Sequence, residues 1–328
     1  MVASAALQPL AGLLVVDLTR YLPGAFASRE LLRLGARVVR LEAPEGDPMR
    51  LVAPAWENAL NAGKESVACD LKTEPELGRA LCARADVVLE GFRPGVASRL
   101  GVGPGDLPDR VVYCSITGFG TEGTHAQRAG HDLNYLGWAG VLEDTAPSLP
   151  PLQPADLAAG GLAAVTEILA ALLERERSGR GARLTISMTH GSHHLVSHRL
   201  GGDPLPRFLT GGLAAYRIYE TADRRHLTVA ALEPKFFFRL CELLERPDLA
   251  ERHLVAGEQD GLAADLAGIF ATRTLDDWLE HFGDEDVAVG PVATLAEGAS
   301  AFGEPAPEAA SGAIGKDTAA WRGELGLG

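Results

Sequence analysis

The chain has 328 residues, 46 % of them hydrophobic and 23 % charged, with a net charge of −14 at pH 7. That is enough for a sizeable core in one large domain or two linked ones, and the negative field disfavours nucleic acid as a partner. No stretch approaches the roughly 18 uninterrupted apolar residues that a bilayer span needs, so no membrane partner is expected. The first 20 residues carry no early basic cluster and run into a strand pattern, so no secretory signal is expected and the reading is cytoplasmic. Cys69, Cys82, Cys114 and Cys241 form no CxxC pair and read as reduced core residues.

In chain order, a strand from Leu13 to Leu18, a helix from Ala25 to Leu34 and a strand from Arg37 to Leu41 make a βαβ unit. The unit predicts parallel pairing in a doubly wound, Rossmann-like sheet. Further strands fit Val67 to Asp70, Val87 to Glu90 and Val111 to Ile116, with a helix from Glu76 to Ala85. The first turn, Leu18 to Gly24, has no GxGxxG fingerprint, which disfavours dinucleotide binding. The longest helix is expected from Leu157 to Arg175, with Asp156 as its N-cap and Arg175 and Arg177 complementing the dipole at its far end. After a strand from Arg183 to Met188, the break from Gly201 to Pro206 marks a domain boundary. A second, smaller α/β domain follows. Its strands fall at Tyr216 to Glu220 and His226 to Ala231, and its helices at Pro234 to Leu244, at Leu262 to Ala271 and after the capping pattern Thr274 to Asp277. The Ala/Gly/Pro/Glu-rich stretch from Ala299 to Gly315 reads as a linker or exposed loop.

Two segments carry groups suited to proton transfer. Gly130-His131-Asp132-Leu133-Asn134-Tyr135 supplies an imidazole, and 25 residues after it Asp156 supplies a carboxylate ahead of Gly160-Gly161. A carbon held between the two could lose a proton to one and regain it from the other. From the residues alone, Asp156 is more commonly a plain helix cap, ionised by the dipole, and His131 a structural hydrogen-bonding residue. Asp132 is placed to orient either the ring or a neighbouring helix, while Asn134 and Tyr135 fit capping and packing roles as well as substrate contacts. Glu233, before Pro234, fits the start of a helix. His190, His194 and His198 share one helical face without a carboxylate or cysteine beside them, so no metal is expected.

Long ordered segments resemble the class III coenzyme A transferase and racemase family: LAGLLVVDLTRYLPGAFASRELLRLGARVVRLEAPEGDPMR, VVLEGFRPGVASRLGVGP, AQRAGHDLNY, ADLAAGG and YRIYETADRRHLTVAALEPKFF. Within it, GHDLNY and ALEPKFF are similar to the α-methylacyl-CoA racemase branch. The resemblance implies a large Rossmann-like CoA-binding domain (residues 1–200), a small α/β domain (201–300) and a C-terminal segment (301–328) returning to the large domain. It also implies two chains threaded as an interlocked homodimer.

The implied activity is racemisation of 2-substituted (2-methyl) acyl-CoA thioesters through an enolate, with no cofactor beyond the CoA of the substrate. The implied catalytic residues are His131 and Asp156, assisted by Glu233, with backbone N–H groups after Asp156 as enolate donors and Gly160-Gly161 allowing close approach of substrate. Arg40, Arg50, Lys64 and Arg93 are implied to bind CoA, although each alone is more often a solvated charge. The family's basic run is depleted here, with Ala62 and Glu65 where Arg is expected, and the segments around Gly201 and before Gly315 are short. The main rival is a CoA transferase in which Asp156 attacks the thioester. A non-catalytic acyl- or partner-binding protein is the third reading, and GHDLNY favours the racemase.

Overall fold

The computed structural model describes residues 7–202, 208–303 and 310–327. Contacts divide the chain into a larger unit, residues 2–198 with 305–328, and a smaller one, residues 199–304. The break from Gly201 to Pro206 lies mostly outside the described residues, as does the middle of the stretch from Ala299 to Gly315.

The larger unit is built on six parallel strands: β1 (Leu14–Asp17), β2 (Arg37–Glu42), β3 (Glu65–Ala68), β4 (Val87–Glu90), β5 (Val112–Thr117) and β6 (Arg183–Ser187). Their order is β3-β2-β1-β4-β5-β6, the doubly wound arrangement. Runs such as Val15-Val16 and Val87-Val88-Leu89 are apolar at every position because both faces are covered. Val15 packs with Leu31 and Ile168 on one side of the sheet, and Val16 with Leu77, Leu81 and Trp321 on the other. Alternation along the strand thus feeds two cores.

β3 is the edge of this sheet, and the C-terminal segment satisfies its outward backbone groups. The Asp317 carboxylate accepts from Ser66 N–H at 2.8 Å, and the Thr318 hydroxyl from Ala68 N–H at 2.9 Å. Closing an edge in this way removes a template for unwanted pairing.

The helix expected from Leu157 to Arg175, with Asp156 as its N-cap, differs in detail. Ala155–Leu162 is a π-helical turn running straight into the α-helix Ala163–Ser178. Asp156 is therefore the second residue of the turn, and Pro154 stands at the N-cap. The stretch Ala155–Ser178 is long and apolar enough to cross a membrane by composition. It instead buries Ala164, Val165, Ile168, Ala171 and Leu172 as one face in the core and ends in charged residues. All four cysteines are free and buried.

In the smaller unit β7 (Tyr216–Glu220), β8 (His226–Ala230) and β9 (Val289–Pro291) form an antiparallel sheet, packed on one side by Phe237, Leu240, Phe270 and Trp278. The three-residue β9 is not apparent from sequence, since Gly290 and Pro291 read as a turn. Residues 295–302, which overlap the expected linker, are a helix capped by Thr294 with no buried residue.

Candidate active site

In this strand order the chain direction reverses between β1 and β4, and a crevice is expected past their carboxyl ends. A cavity of about 510 Å³ occupies that place. Thr19, Arg20 and Tyr21 after β1, Gly91, Phe92 and Arg93 after β4, and Ile116, Thr117 and Gly118 at the end of β5 form its floor. The turns are shaped by buried carboxylates at the strand ends. Asp17 accepts from Thr19 N–H at 2.8 Å, and Glu90 from Phe92 N–H at 2.7 Å. Tyr21, at φ 65°, sits in the left-handed region and its N–H is held by Asp47 at 3.1 Å, a strained backbone at the cavity wall.

His131 and Asp156 both line this cavity. His131 is exposed and precedes the helix Asp132–Trp138, its backbone N–H bonded to Asn134 Oδ1 at 3.1 Å. Asn134 thus caps, and Tyr135 packs: its hydroxyl donates to the Gly130 carbonyl at 2.5 Å and its ring meets Phe119 edge-on at 5.3 Å. A Cβ on Gly118 or Gly130 would lie 2.5 or 2.7 Å from that ring, so both positions require glycine for the ring to seat beneath the histidine loop.

Asp132 is buried, and of the two roles open to it the structure gives the helix. Its Oδ1 accepts from Asp156 N–H at 2.9 Å, which fixes the start of the π-helical turn. Burial raises the Asp132 carboxyl, and the N–H groups of Asp156 and Ala155 oppose this only in part. Burial, and then the charge of Asp132, push the Asp156 carboxyl up to about 7. A fully ionised Asp156 is therefore corrected to a group balanced between its two forms at neutral pH, because desolvation outweighs the helix dipole.

Two other expectations change. The N–H groups of Ala155 and Asp156 are taken by Asp132 and that of Leu157 by the Gln153 carbonyl, so these three are not free to hold an enolate. Gly160 and Gly161 serve packing: a Cβ there would meet Met188 at 3.1 Å and Phe26 at 2.7 Å.

Of the four expected CoA cations, three have internal partners. Arg40 is buried against Glu57 at 2.6 Å, Glu42 at 3.3 Å and Asp47 at 3.9 Å. Arg50 bonds Glu42 at 2.8 Å and the Gly312 carbonyl at 3.0 Å. Lys64 is wholly buried, bonded to Ser28, Asn61 and Ala25, and burial lowers its pKa to about 7 despite the opposing charge of Asp17. All three side chains are engaged by these groups inside the fold. Glu65, one of the two departures from the basic run, is engaged by Arg37 and by Trp321 Nε1.

Arg93 is exposed on the cavity wall, joined there by Arg20 and Arg128, the latter over the Trp138 ring at 5.2 Å. Sequence reading passed over Arg20 and Arg128. Arg20 follows β1 directly, a position that gains meaning only once the strand order is known. Glu233 belongs to the smaller unit, exposed at the N-cap of the helix Pro234–Leu243. Among the described residues no cluster of His, Cys, Asp and Glu could hold a metal.

A second cavity of about 400 Å³ shares Thr19, Arg20, Tyr21, Gly91 and Phe92 with the first and extends over the ends of β2 and β3 to Gly46, Cys69 and Asp70.

Residues 10–306 match the model of the CoA-transferase family III. The chain is 36 % identical over 308 residues to the alpha-methylacyl-CoA racemase of Mus musculus, covering 88 % of this chain and 78 % of the relative. It is 30 % identical to the succinyl-CoA:glutarate CoA-transferase of Mus musculus, over 88 % of this chain and 73 % of the relative. Among solved structures it superposes on a CAIB/BAIF family protein from Brucella suis with a TM-score of 0.83 at 28 % identity, covering 97 % of this chain and 99 % of the other. The parallel sheet, the crevice at its switch point and these matches over most of the length place the chain in the CoA-transferase family III, whose members include racemases and CoA transferases.

Proposed function

We propose that the protein is a racemase of 2-substituted acyl-CoA thioesters, requiring no cofactor beyond the CoA of its substrate. The observation that carries this reading is an imidazole and a carboxylate on the wall of one cavity, the carboxyl balanced near pH 7 by burial and by Asp132. A group poised at the working pH can act as base in one direction and as acid in the other, which reversible inversion requires. Ionised Asp156 takes the proton α to the thioester carbonyl, and protonated His131 returns one from the opposite side. The reverse sequence serves the other enantiomer.

The enolate oxygen needs donors other than the N–H groups already taken by Asp132 and Gln153. The side-chain amide of Asn134, whose oxygen is occupied by His131 N–H, and the guanidinium groups of Arg93 and Arg128 supply them around the same cavity. Arg20, which lines both cavities, and Lys72, which lines the second, are the cations for the carrier's phosphates, the long carrier extending into the second cavity. Glu233 assists in the working homodimer, an assignment that rests on the ALEPKFF resemblance. Four buried reduced cysteines support a cytoplasmic setting.

The second reading, a CoA transferase with Asp156 as nucleophile, is favoured by similarity to the glutarate transferase. One experiment separates the two: 2-methylacyl-CoA in heavy water, with the α-proton followed by NMR. The racemase exchanges it, and both His131→Ala and Asp156→Ala lower the rate by 10² or more, on the order of general acid–base catalysis. A hydroxylamine-trappable adduct on Asp156 without α-exchange would establish the transferase instead.

A further inference from the structure

Thr19 stands on the walls of both cavities, where they join. Behind it lies a buried chain of polar groups that none of the steps above uses. Lys64 Nζ donates to Ser28 Oγ at 2.6 Å, Asn61 Oδ1 at 2.8 Å and the Ala25 carbonyl at 2.9 Å. The Ser28 hydroxyl, which accepts from Lys64, donates its own proton to Asp17 Oδ2 at 2.5 Å. The other oxygen of Asp17 receives both the N–H and the hydroxyl of Thr19, at 2.8 and 2.6 Å. Gly24 makes the room: a Cβ there would lie 2.0 Å from Thr19 Oγ1. The hydroxyl has one proton and Asp17 holds it, so Thr19 offers only lone pairs to anything lying across the join.

We propose that Thr19 is a specificity-determining residue, an acceptor-only group that takes a hydrogen bond from an amide N–H in the arm of the thiol carrier. This rests on the reading that the substrate is a CoA thioester. That carrier's arm contains secondary amides, which supply the N–H donors an acceptor-only hydroxyl requires, and the arm must cross the join if its thioester is to reach His131 and Asp156. A carrier with only acceptors at that position, such as an ester arm, meets lone pair against lone pair and is rejected.

Calorimetry on the full chain tests the inference with two probes: free CoA thiol, and 3′-phosphoadenosine 5′-diphosphate, the nucleotide part without the arm. Thr19→Val keeps the shape and removes the acceptor, while Thr19→Ser keeps the acceptor. The expected result is that Thr19→Val weakens CoA about 3- to 10-fold, the worth of one net hydrogen bond, and leaves the nucleotide unchanged. Thr19→Ser binds both within about two-fold of the unaltered chain. Equal affinity of Thr19→Val and the unaltered protein for CoA overturns the inference alone, as does equal weakening of both probes. Failure of the unaltered protein to bind CoA overturns the CoA-thioester reading and this inference with it.

Discussion

Two buried groups of charges in the larger unit are treated in opposite ways. Around Arg40, the carboxylates Glu42, Asp47 and Glu57 share two guanidinium groups, Arg40 and Arg50. Burial alone would raise Glu42, yet the Arg50 hydrogen bond, the Arg40 charge and the Ser66 hydroxyl bring it below the ordinary carboxylate range. At the cavity, Asp132 and Asp156 are linked by one backbone bond with no cation paired to either among the described residues, and both carboxyls are raised. Desolvation acts on both, and the shifts are opposite because one cluster is paired with cations and the other is not. The cation-paired cluster holds structure, and the pair without a cation keeps a proton available.

The sharpest way to break this contrast is to remove one charge from each cluster. Arg40→Met leaves Glu42 and Glu57 buried with less compensation and should cost about 3–5 kcal/mol in urea unfolding at pH 8. Asp156→Asn removes a carboxylate that burial penalises, so its unfolding midpoint should be unchanged or higher while α-proton exchange is lost. A loss of stability in Asp156→Asn equal to that of Arg40→Met would mean that the cavity carboxylate is structural after all.

The second test is the pH dependence of the same unfolding curves. The Asp156 carboxyl, raised to about 7, keeps its proton in the folded chain while the unfolded chain has already lost it above its ordinary value of 3.8. The folded state binds more protons in that window, so stability falls as pH rises from about 4 to about 7, by at most about 1.4 kcal/mol per pH unit for one proton. Glu42 has the opposite sign: its lowered value contributes stability above the ordinary 4.5, lost as pH falls through its folded value. Subtracting the Asp156→Asn and Glu42→Gln curves from that of the unaltered protein should give slopes of opposite sign. Slopes of the same sign would remove the distinction.

The sequence shows the types of these residues but not their partners. Strands such as Val87-Val88-Leu89-Glu90 were legible because a doubly covered parallel strand is apolar at every position. His131 and Asp156 stood out as titratable groups, and nothing in their spacing showed that one cavity would collect them. Arg40, Arg50 and Lys64 are implied as ligand cations by the family resemblance alone, and nothing in the sequence shows what each is paired with. Their partners come from elsewhere in the fold, Glu57 for Arg40, Gly312 for Arg50 and Ser28 for Lys64, and only the packed chain brings them together. The π-helical turn was equally hidden. Its hydrogen bonds skip one residue further than those of an α-helix, while the apolar run Leu157 to Leu162 suits both. That register places Asp156 inside the turn, with its N–H on Asp132, instead of ahead of it as a cap.

The smallest expected effect concerns Asp132, which acts on Asp156 in two separable ways. Its oxygen accepts the backbone N–H groups of Asp156 and Ala155, and its charge raises the neighbouring carboxyl. Asp132→Asn keeps an oxygen acceptor and removes the charge, so the window in which stability falls should move to lower pH while the midpoint at pH 8 stays near that of the unaltered protein. Burial is the larger cause of the Asp156 shift, so most of the elevation should survive. Asp132→Ala removes the acceptor as well and should cost about 0.5–2 kcal/mol, the usual worth of an oxygen at a helix start. A window that stays in place in Asp132→Asn would mean that desolvation alone sets the proton on Asp156. A window that drops to the ordinary carboxylate range would mean that the two acids, held together through one N–H, set it between them.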